Sequence, residues 1–394
     1  MKEAYIVSSV RTPGCKNRRG AFRETRPEDL LSHIMKACVD KVGVDPKEIE
    51  DCMVGCAFPE AEQGINIGRI GARMAGFPDN VCGATVNRFC SSGLESIAIS
   101  SMRIKAGWAD VTMGCGVESM TYVPMGGNTP RPHPHFAKDN ADAYISMGVT
   151  AENIVARYDV TRKEMDEFAA NSHAKAVEAQ KNGYFKEIVP TPATYYVKQA
   201  DGSYKTETKI IDADDGVRPG TTAEGIARLG SPFKFGGQVT AANSSQTTDG
   251  AAANLIASKE ACDRLGLKPI AKMIGYAVAG CKSDEMGVGP AYAIPKVLEQ
   301  TGLKIEDIDL IELNEAFAAQ SIYCLKELGI WGTDLMNRVN ACGGAIALGH
   351  PLGCTGSKLT ATLLEQLGRT GGKYGIVSMC IGGGMGAAGL YEMV

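Results

Sequence analysis

Residues 37–58, ACVDKVGVDPKEIEDCMVGCAF, align without a gap on residues 296–317, KVLEQTGLKIEDIDLIELNEAF. Gly43 falls on Gly302, Glu48-Ile49-Glu50 on Asp307-Ile308-Asp309, and Ala57-Phe58 on Ala316-Phe317. Each stretch reads as a helix end, a glycine turn, an acidic turn and a buried strand. With small shifts, Ser92-Gly93 also matches Thr355-Gly356, and Val111-Thr112-Met113 matches Val377-Ser378-Met379. Such self-similarity predicts two related α/β halves, residues 1–120 and 271–394, stacked about a pseudo-twofold axis. Residues 250–270 return the chain to the first half.

Apolar runs bounded by glycine supply the strands: Ala4–Ser9, Asp51–Cys56, Asp110–Cys115, Leu310–Leu313 and Gly375–Cys380. Helical patterns cover Glu28–Val42, Ser91–Ala106, Ala291–Thr301, Glu315–Leu328 and Gly356–Leu367. Residues 121–249 differ in character and read as an insertion over one face of the core. They open with Pro124, Pro130, Pro132 and Pro134, which discourage regular structure. An amphipathic helix then starts at the capping-box signature Thr161-Arg162-Lys163-Glu164. In Val197–Ile211, Asp201-Gly202 reads as a hairpin turn.

The 394 residues exceed one ordinary core, and 44% hydrophobic against 22% charged is the balance of a globular protein. A net charge of -4 with no basic block argues against nucleic acid as a partner. No run reaches the roughly 18 apolar residues of a membrane span. The start, Met1-Lys2-Glu3-Ala4, lacks a secretory signal, and the end, Glu392-Met393-Val394, is no peroxisomal address. Thirteen cysteines, with no Cys-x-x-Cys pair, point to free thiols in a reducing, cytoplasmic setting. With only five histidines, no metal site is expected.

Three glycine-flanked segments carry chemistry. In Asn87-Arg88-Phe89-Cys90-Ser91-Ser92-Gly93 a cysteine precedes an amphipathic helix. Unpaired N–H groups and the dipole there favour a thiolate nucleophile at neutral pH. Gly343-Gly344-Ala345-Ile346-Ala347-Leu348-Gly349-His350-Pro351 sets a histidine in a loop with little packing to justify it. Cys380-Ile381-Gly382-Gly383-Gly384 ends a buried strand in glycines able to aim N–H groups at a developing oxyanion. Loops meeting at the pseudo-twofold axis would join these residues for acyl transfer. Cys90 attacks a carbonyl carbon, His350 assists deprotonation, and Cys380 moves a proton.

These three segments, with Asn314-Glu315-Ala316-Phe317-Ala318, closely resemble the motifs of the thiolase family, in order and across essentially the whole chain. The resemblance implies a five-layered αβαβα core of two βαβαβαββ halves, with a loop domain inserted in the first that contacts coenzyme A. It implies that Cys90 is acylated, that His350 activates it, and that Cys380 protonates the departing acetyl-CoA carbanion. Asn314 would hold a water forming one oxyanion hole with His350, and the N–H groups of Cys90 and Gly382 would form the other. Ser245, Met147, Ala316, Phe317, Arg218 and Met286 would line the substrate and coenzyme A path. Coenzyme A enters as substrate, with no permanent cofactor, and the chain would be a homodimer or homotetramer.

Departures from the family pattern are Ser146, where many biosynthetic members have histidine, Ala242 in place of a usual glycine, and Phe89 before the nucleophile. Asp215–Thr222, Met286–Ile294 and Gly349–Gly356 resemble the degradative branch, that of fatty-acid β-oxidation. The expectation is therefore 3-ketoacyl-CoA thiolysis by ping-pong kinetics, with acetoacetyl-CoA thiolase as the alternative. A ketoacyl synthase, on the same fold, would pair its cysteine with two histidines, or with histidine and asparagine, and Cys380 counts against it. A non-catalytic acyl-CoA- or lipid-binding relative would be expected to lose Cys90 or His350.

Overall fold

In the computed structural model, which describes residues 2–394, the two aligned stretches occupy equivalent places. The strand Asp51–Gly55 follows the helix Pro27–Asp40, as the strand Leu310–Leu313 follows the helix Gly289–Thr301. Each short strand lies parallel to a longer one, Val111–Ser119 or Tyr374–Ile381. Those run antiparallel to Thr248–Ser258 and Met385–Met393. The latter pair in turn with Ala4–Arg11 and Ala271–Gly280, and one bridge, Ile6 to Ala271, joins the halves. Both halves also bulge at the same place. The register slips at Val7, opposite Leu255 and Ile256, and again at Ile274, opposite Leu390 and Tyr391. Bulges are kept within families of related chains, so the same bulge in both halves marks them as copies.

The register corrects one detail of the repeat. Cys52 and Ile311 are equivalent, and they face Met113 and Ile376. Met113 therefore corresponds to Ile376, three residues from its match in sequence. An odd slip turns every side chain to the opposite face. Met113 packs outward with Leu30 and Met35, whereas Met379 packs inward with Leu94 and Leu363. Runs of small and branched apolar residues are too alike to fix that alignment.

Five layers result. Leu30, Leu31, Ile34 and Met35 cover the outer face of the first half-sheet. Ile294 and Val297, with Ile322 and Leu325 of the helix Ala318–Glu327, cover that of the second. Between the half-sheets lie the helices Ser92–Lys105 and Thr355–Thr370. Their Leu94, Ile97, Leu359, Leu363 and Leu367 share one core with Ile6, Ile256, Val377 and Met379. Equivalent short turns, Phe89–Ser91 and Leu352–Cys354, lead into these two helices. They meet at equivalent glycines. A Cβ on Gly356 would lie 2.2 Å from the Leu94 nitrogen, and one on Gly93 2.7 Å from the Ser357 nitrogen. Backbone cannot yield as a side chain does, so Gly356→Ala should cost about 2–3 kcal/mol. A chemical-denaturation midpoint equal to that of the unmodified protein would refute this close crossing.

In the second half the outermost strand shrinks to one bridge, Ile311 to Val339. Asn340, at φ +45°, continues the pairing with its side chain. Its Oδ1 accepts from the Leu313 N–H and its Nδ2 donates to the Leu313 carbonyl, both at 2.9 Å. That clamp fixes the strand end from which Asn314 emerges.

Between Ser119 and Thr248 the chain forms the helices Met147–Arg157 and Arg162–Lys181 and the hairpin Thr191–Lys198/Tyr204–Ile211. The Thr161–Glu164 capping box closes in both directions. The hairpin's first strand starts at Thr191, earlier than its sequence suggests, because Pro192 is tolerated in a two-stranded ribbon. Pro134, expected only to break structure, opens the short helix Pro134–Asp139, where a missing N–H costs nothing. Arg11 ties this segment to the core: buried, it donates to Glu187 at 3.0 Å and to both Asp214 oxygens at 2.8 and 3.0 Å. Among the described residues, no helix is long and apolar enough to cross a membrane.

Candidate active site

Cys90 sits in the Phe89–Ser91 turn, just ahead of the first central helix. Phe89 takes φ +42°, a strained value for a non-glycine residue, and its ring lies 5.9 Å from that of Phe58. The Cys90 side chain packs among Ala57, Met120 and Leu352. Burial pushes its thiol up to about 11, against the pull of the Gly382 and Cys90 backbone N–H groups. The sequence-based expectation of a resting thiolate is thereby corrected: the helix terminus is present, but loss of water outweighs it. At neutral pH the sulfur is a thiol and needs a base.

His350 is carried by the glycine loop of the second half and held by a strap from the first. Its N–H donates to the Gln246 carbonyl at 3.0 Å and the Thr248 hydroxyl at 3.1 Å. Thr248 in turn rests on Met120, beside Cys90. Nε2 of the imidazole faces Asn314 Nδ2 at 3.3 Å, and Nδ1 meets Thr355 Oγ1 at 2.5 Å. Burial, reinforced by the Lys358 charge, pushes the ring down to about 3, so it is neutral throughout the ordinary pH range. Asn314 is anchored by its own N–H on the Ser378 carbonyl at 2.9 Å, while its buried Oδ1 has no partner.

Cys380 lies near the end of Tyr374–Ile381, before Gly383 and Gly384 turn the chain at φ +84° and +85°. Burial raises its thiol well above the ordinary value, and the nearby Cys90 raises it further. Met286, Ala316, Phe317 and Met147 pack against it. A Cβ on Gly382 would lie 3.3 Å from Met147 Sδ, so glycine keeps this approach open. Ser245 donates its N–H to the Ala316 carbonyl at 2.9 Å. One neighbourhood thus holds Cys90, His350, Asn314, Cys380 and Gly382, with Met147, Ser245, Met286, Ala316 and Phe317 around it. Arg218 stands apart on an exposed loop, where its N–H donates to His173 Nδ1 at 3.2 Å.

Two supports escaped the sequence reading. Glu118 is fully buried and accepts from the Ala57 N–H at 2.8 Å, the Gly353 N–H at 2.7 Å and Gln63 Nε2 at 2.8 Å. It staples the loop beside Cys90 to the loop carrying His350. A lone acid inside the apolar strand Val111–Ser119 was its available signal. The other support is Thr355, five residues beyond the histidine. Two buried thiols, a neutral imidazole between defined partners and glycine N–H groups suit addition to a carbonyl carbon with proton transfer on either side.

The family model for the thiolase N-terminal domain matches residues 4–260, and that for the C-terminal domain matches residues 267–393. The chain belongs to the thiolase family. It is 46% identical to the 3-ketoacyl-CoA thiolase of Bacillus subtilis (strain 168) over 394 residues, all of both chains. It is 42% identical to the human peroxisomal 3-ketoacyl-CoA thiolase, over 99% of this chain and 91% of that one. Among solved structures, the dimeric peroxisomal thiolase of Saccharomyces cerevisiae superposes with a TM-score of 0.88 at 38% identity, covering 100% and 98% of the two chains. The acetyl-CoA acetyltransferase of Bacillus anthracis superposes at 0.89 with 37% identity, covering 100% and 99%. The thiolase fold is therefore that of this chain.

Proposed function

We propose that Cys90, His350, Asn314, Cys380 and Gly382 perform in this thiolase the cleavage of 3-ketoacyl-CoA by coenzyme A. The products are acetyl-CoA and a shortened acyl-CoA, and the reaction is reversible. His350 Nε2 takes the Cys90 proton as sulfur attacks the 3-keto carbon, whose oxygen becomes negative. Collapse of that adduct breaks the bond between C2 and C3. The electron pair leaves as the acetyl-CoA enolate, which the Cys380 proton quenches. The His350 imidazolium then reprotonates Cys380. Coenzyme A gives its thiol proton to His350 as its sulfur attacks the acyl carbon, and the second tetrahedral adduct collapses to acyl-CoA as Cys90 leaves with that proton. The negative oxygens of the two half-reactions fall to different donors: His350 with a water held by Asn314, and the N–H groups of Cys90 and Gly382. The observation that carries this reading is a pair of neighbouring buried thiols, Cys90 and Cys380, with the Gly382 N–H on Cys90 and with His350 tied to the Cys90 side through Thr248 and Met120. A ketoacyl synthase would not need the second thiol.

The inserted segment 121–249 is the coenzyme A side of the site, with Met147 and Ser245 at the reacting end and Arg218 exposed farther out. Coenzyme A acts as substrate, and no resident cofactor is required. Thirteen free cysteines suit a reducing cytoplasm. The edge strand Cys82–Val86, flanked by exposed Ile65, Ile70, Met74 and Phe89, suits a second copy of the chain. Relatives named for 3-ketoacyl-CoA favour that substrate over acetoacetyl-CoA. With coenzyme A supplied, the purified dimer should consume medium or long 3-ketoacyl-CoA faster than acetoacetyl-CoA. Refusal of every chain longer than acetoacetyl would overturn the substrate, and sedimentation as a monomer would overturn the assembly.

A further inference from the structure

We infer that Thr355 is a positioning residue that fixes the tautomer of His350, keeping the proton on Nδ1 and Nε2 bare. The inference rests on the acyl-transfer reading above for its consequence, but its geometry stands alone. A threonine hydroxyl has one proton and two lone pairs. Thr355 Oγ1 lies 2.9 Å from the Pro351 carbonyl, four residues back. A carbonyl can only accept, so the hydroxyl proton goes there, the ordinary back-bond of a threonine in a helix. What Oγ1 then offers His350 Nδ1, at 2.5 Å, is a lone pair, and Nδ1 must carry the hydrogen. The far side of the ring agrees. Asn314 Nδ2, a donor, lies 3.3 Å from Nε2, which suits a bare nitrogen. Both contacts are buried, and the charged group acting on the ring is Lys358, which disfavours a second proton.

The consequence lies in the first bond-forming step. Only a bare Nε2 can accept the Cys90 proton while the sulfur pair bonds to the carbonyl carbon and the carbonyl π pair moves to oxygen. The resulting imidazolium keeps its Nδ1–H on Thr355 and returns the Nε2 proton later in the cycle. With the opposite tautomer, Nε2–H has no lone pair to give, and the neutral thiol is left without a base. Thr355 itself touches no reacting atom. Its effect should therefore fall on kcat and leave binding alone.

The test pairs kinetics with ¹⁵N spectra of histidine-labelled full-length protein. Wild type should show His350 with Nδ1 protonated and Nε2 bare. Thr355→Val, which keeps the shape and removes the hydroxyl, should shift the ring toward Nε2–H. Its kcat should fall roughly 10- to 100-fold, with KM for 3-ketoacyl-CoA within about twofold. The loss should shrink as pH rises and Cys90 ionises unaided, and Thr355→Ser should recover most of it. A role confined to packing would move neither the pH profile nor the tautomer. An Nε2–H signal in wild type, produced by the reverse orientation of the Asn314 amide, would overturn the proposal. So would wild-type kcat in Thr355→Val. Should that variant fail to fold, Thr355→Ala takes its place, with the same tautomer shift and loss of kcat expected and the same outcomes overturning the proposal. If wild type instead forms no acyl adduct on Cys90, the acyl-transfer reading fails while the tautomer assignment stands.

Discussion

Replacing Cys90 by alanine should lower thiolysis by about 10⁴-fold or more, and should erase the acyl adduct seen by intact mass after mixing with a 3-ketoacyl-CoA. No neighbour can substitute. Cys380, the other thiol beside it, lies in the floor formed by Met286, Ala316 and Phe317. It lacks the helix entry and the pair of N–H groups that Cys90 possesses. The same sulfur should respond to pH in a characteristic way. With its thiol pushed up to about 11 and His350 pushed down to about 3, both are neutral from pH 5 to pH 9. Thiolate is therefore scarce below the thiol's own pKa and grows about tenfold for each unit of rising pH. Alkylation of Cys90 by iodoacetamide should climb steadily between pH 7 and pH 9 without levelling. A plateau from low pH would instead mean a standing thiolate–imidazolium pair and would reject the neutral resting state. An acyl adduct persisting in Cys90→Ala would place the nucleophile elsewhere.

The repeat could be read from residues 37–58 and 296–317 because glycines and paired acids punctuate it. Those positions are set by local backbone needs, and they survive when core residues interchange. The long strands could not be aligned in the same way, since one apolar residue replaces another at little cost and only hydrogen-bond register distinguishes faces. Cys90, His350 and Cys380 stood out because nothing local explains them. Glu118 and Thr355 were harder to read. Glu118 shows only as a lone acid in an apolar strand, and its meaning lies in contacts far along the chain, with Gly353 and Ala57. Thr355 looks like an ordinary first residue of its helix, and its meaning lies in how the turn folds its hydroxyl back onto His350. The ionisation of Cys90 was misjudged from sequence because a helix terminus is visible there and burial is not. Electrostatic sign, in this site, depends on how much water the fold removes.

Cys380→Ser should separate the two halves of the reaction. Acyl exchange between Cys90 and a simple acyl-CoA forms and breaks only a thioester, so it needs Cys90, His350 and the oxyanion donors but no proton at carbon. Cleavage of a 3-ketoacyl-CoA must also protonate the departing enolate, the task assigned to Cys380. A serine hydroxyl is a far weaker acid than the thiol, and the buried setting that raises the thiol would raise the hydroxyl as well. Thiolysis should thus fall roughly 10³-fold, within the range of a lost general acid. Exchange of labelled coenzyme A into acetyl-CoA should stay within about tenfold of the unmodified rate. Condensation of acetyl-CoA, which requires removal of the same carbon-bound proton, should fall in parallel with thiolysis. Equal losses in exchange and cleavage would show that Cys380 serves the Cys90 step or the packing around it. Intact thiolysis would show that the proton comes from another group, for which His350 is the remaining acid within the same enclosure.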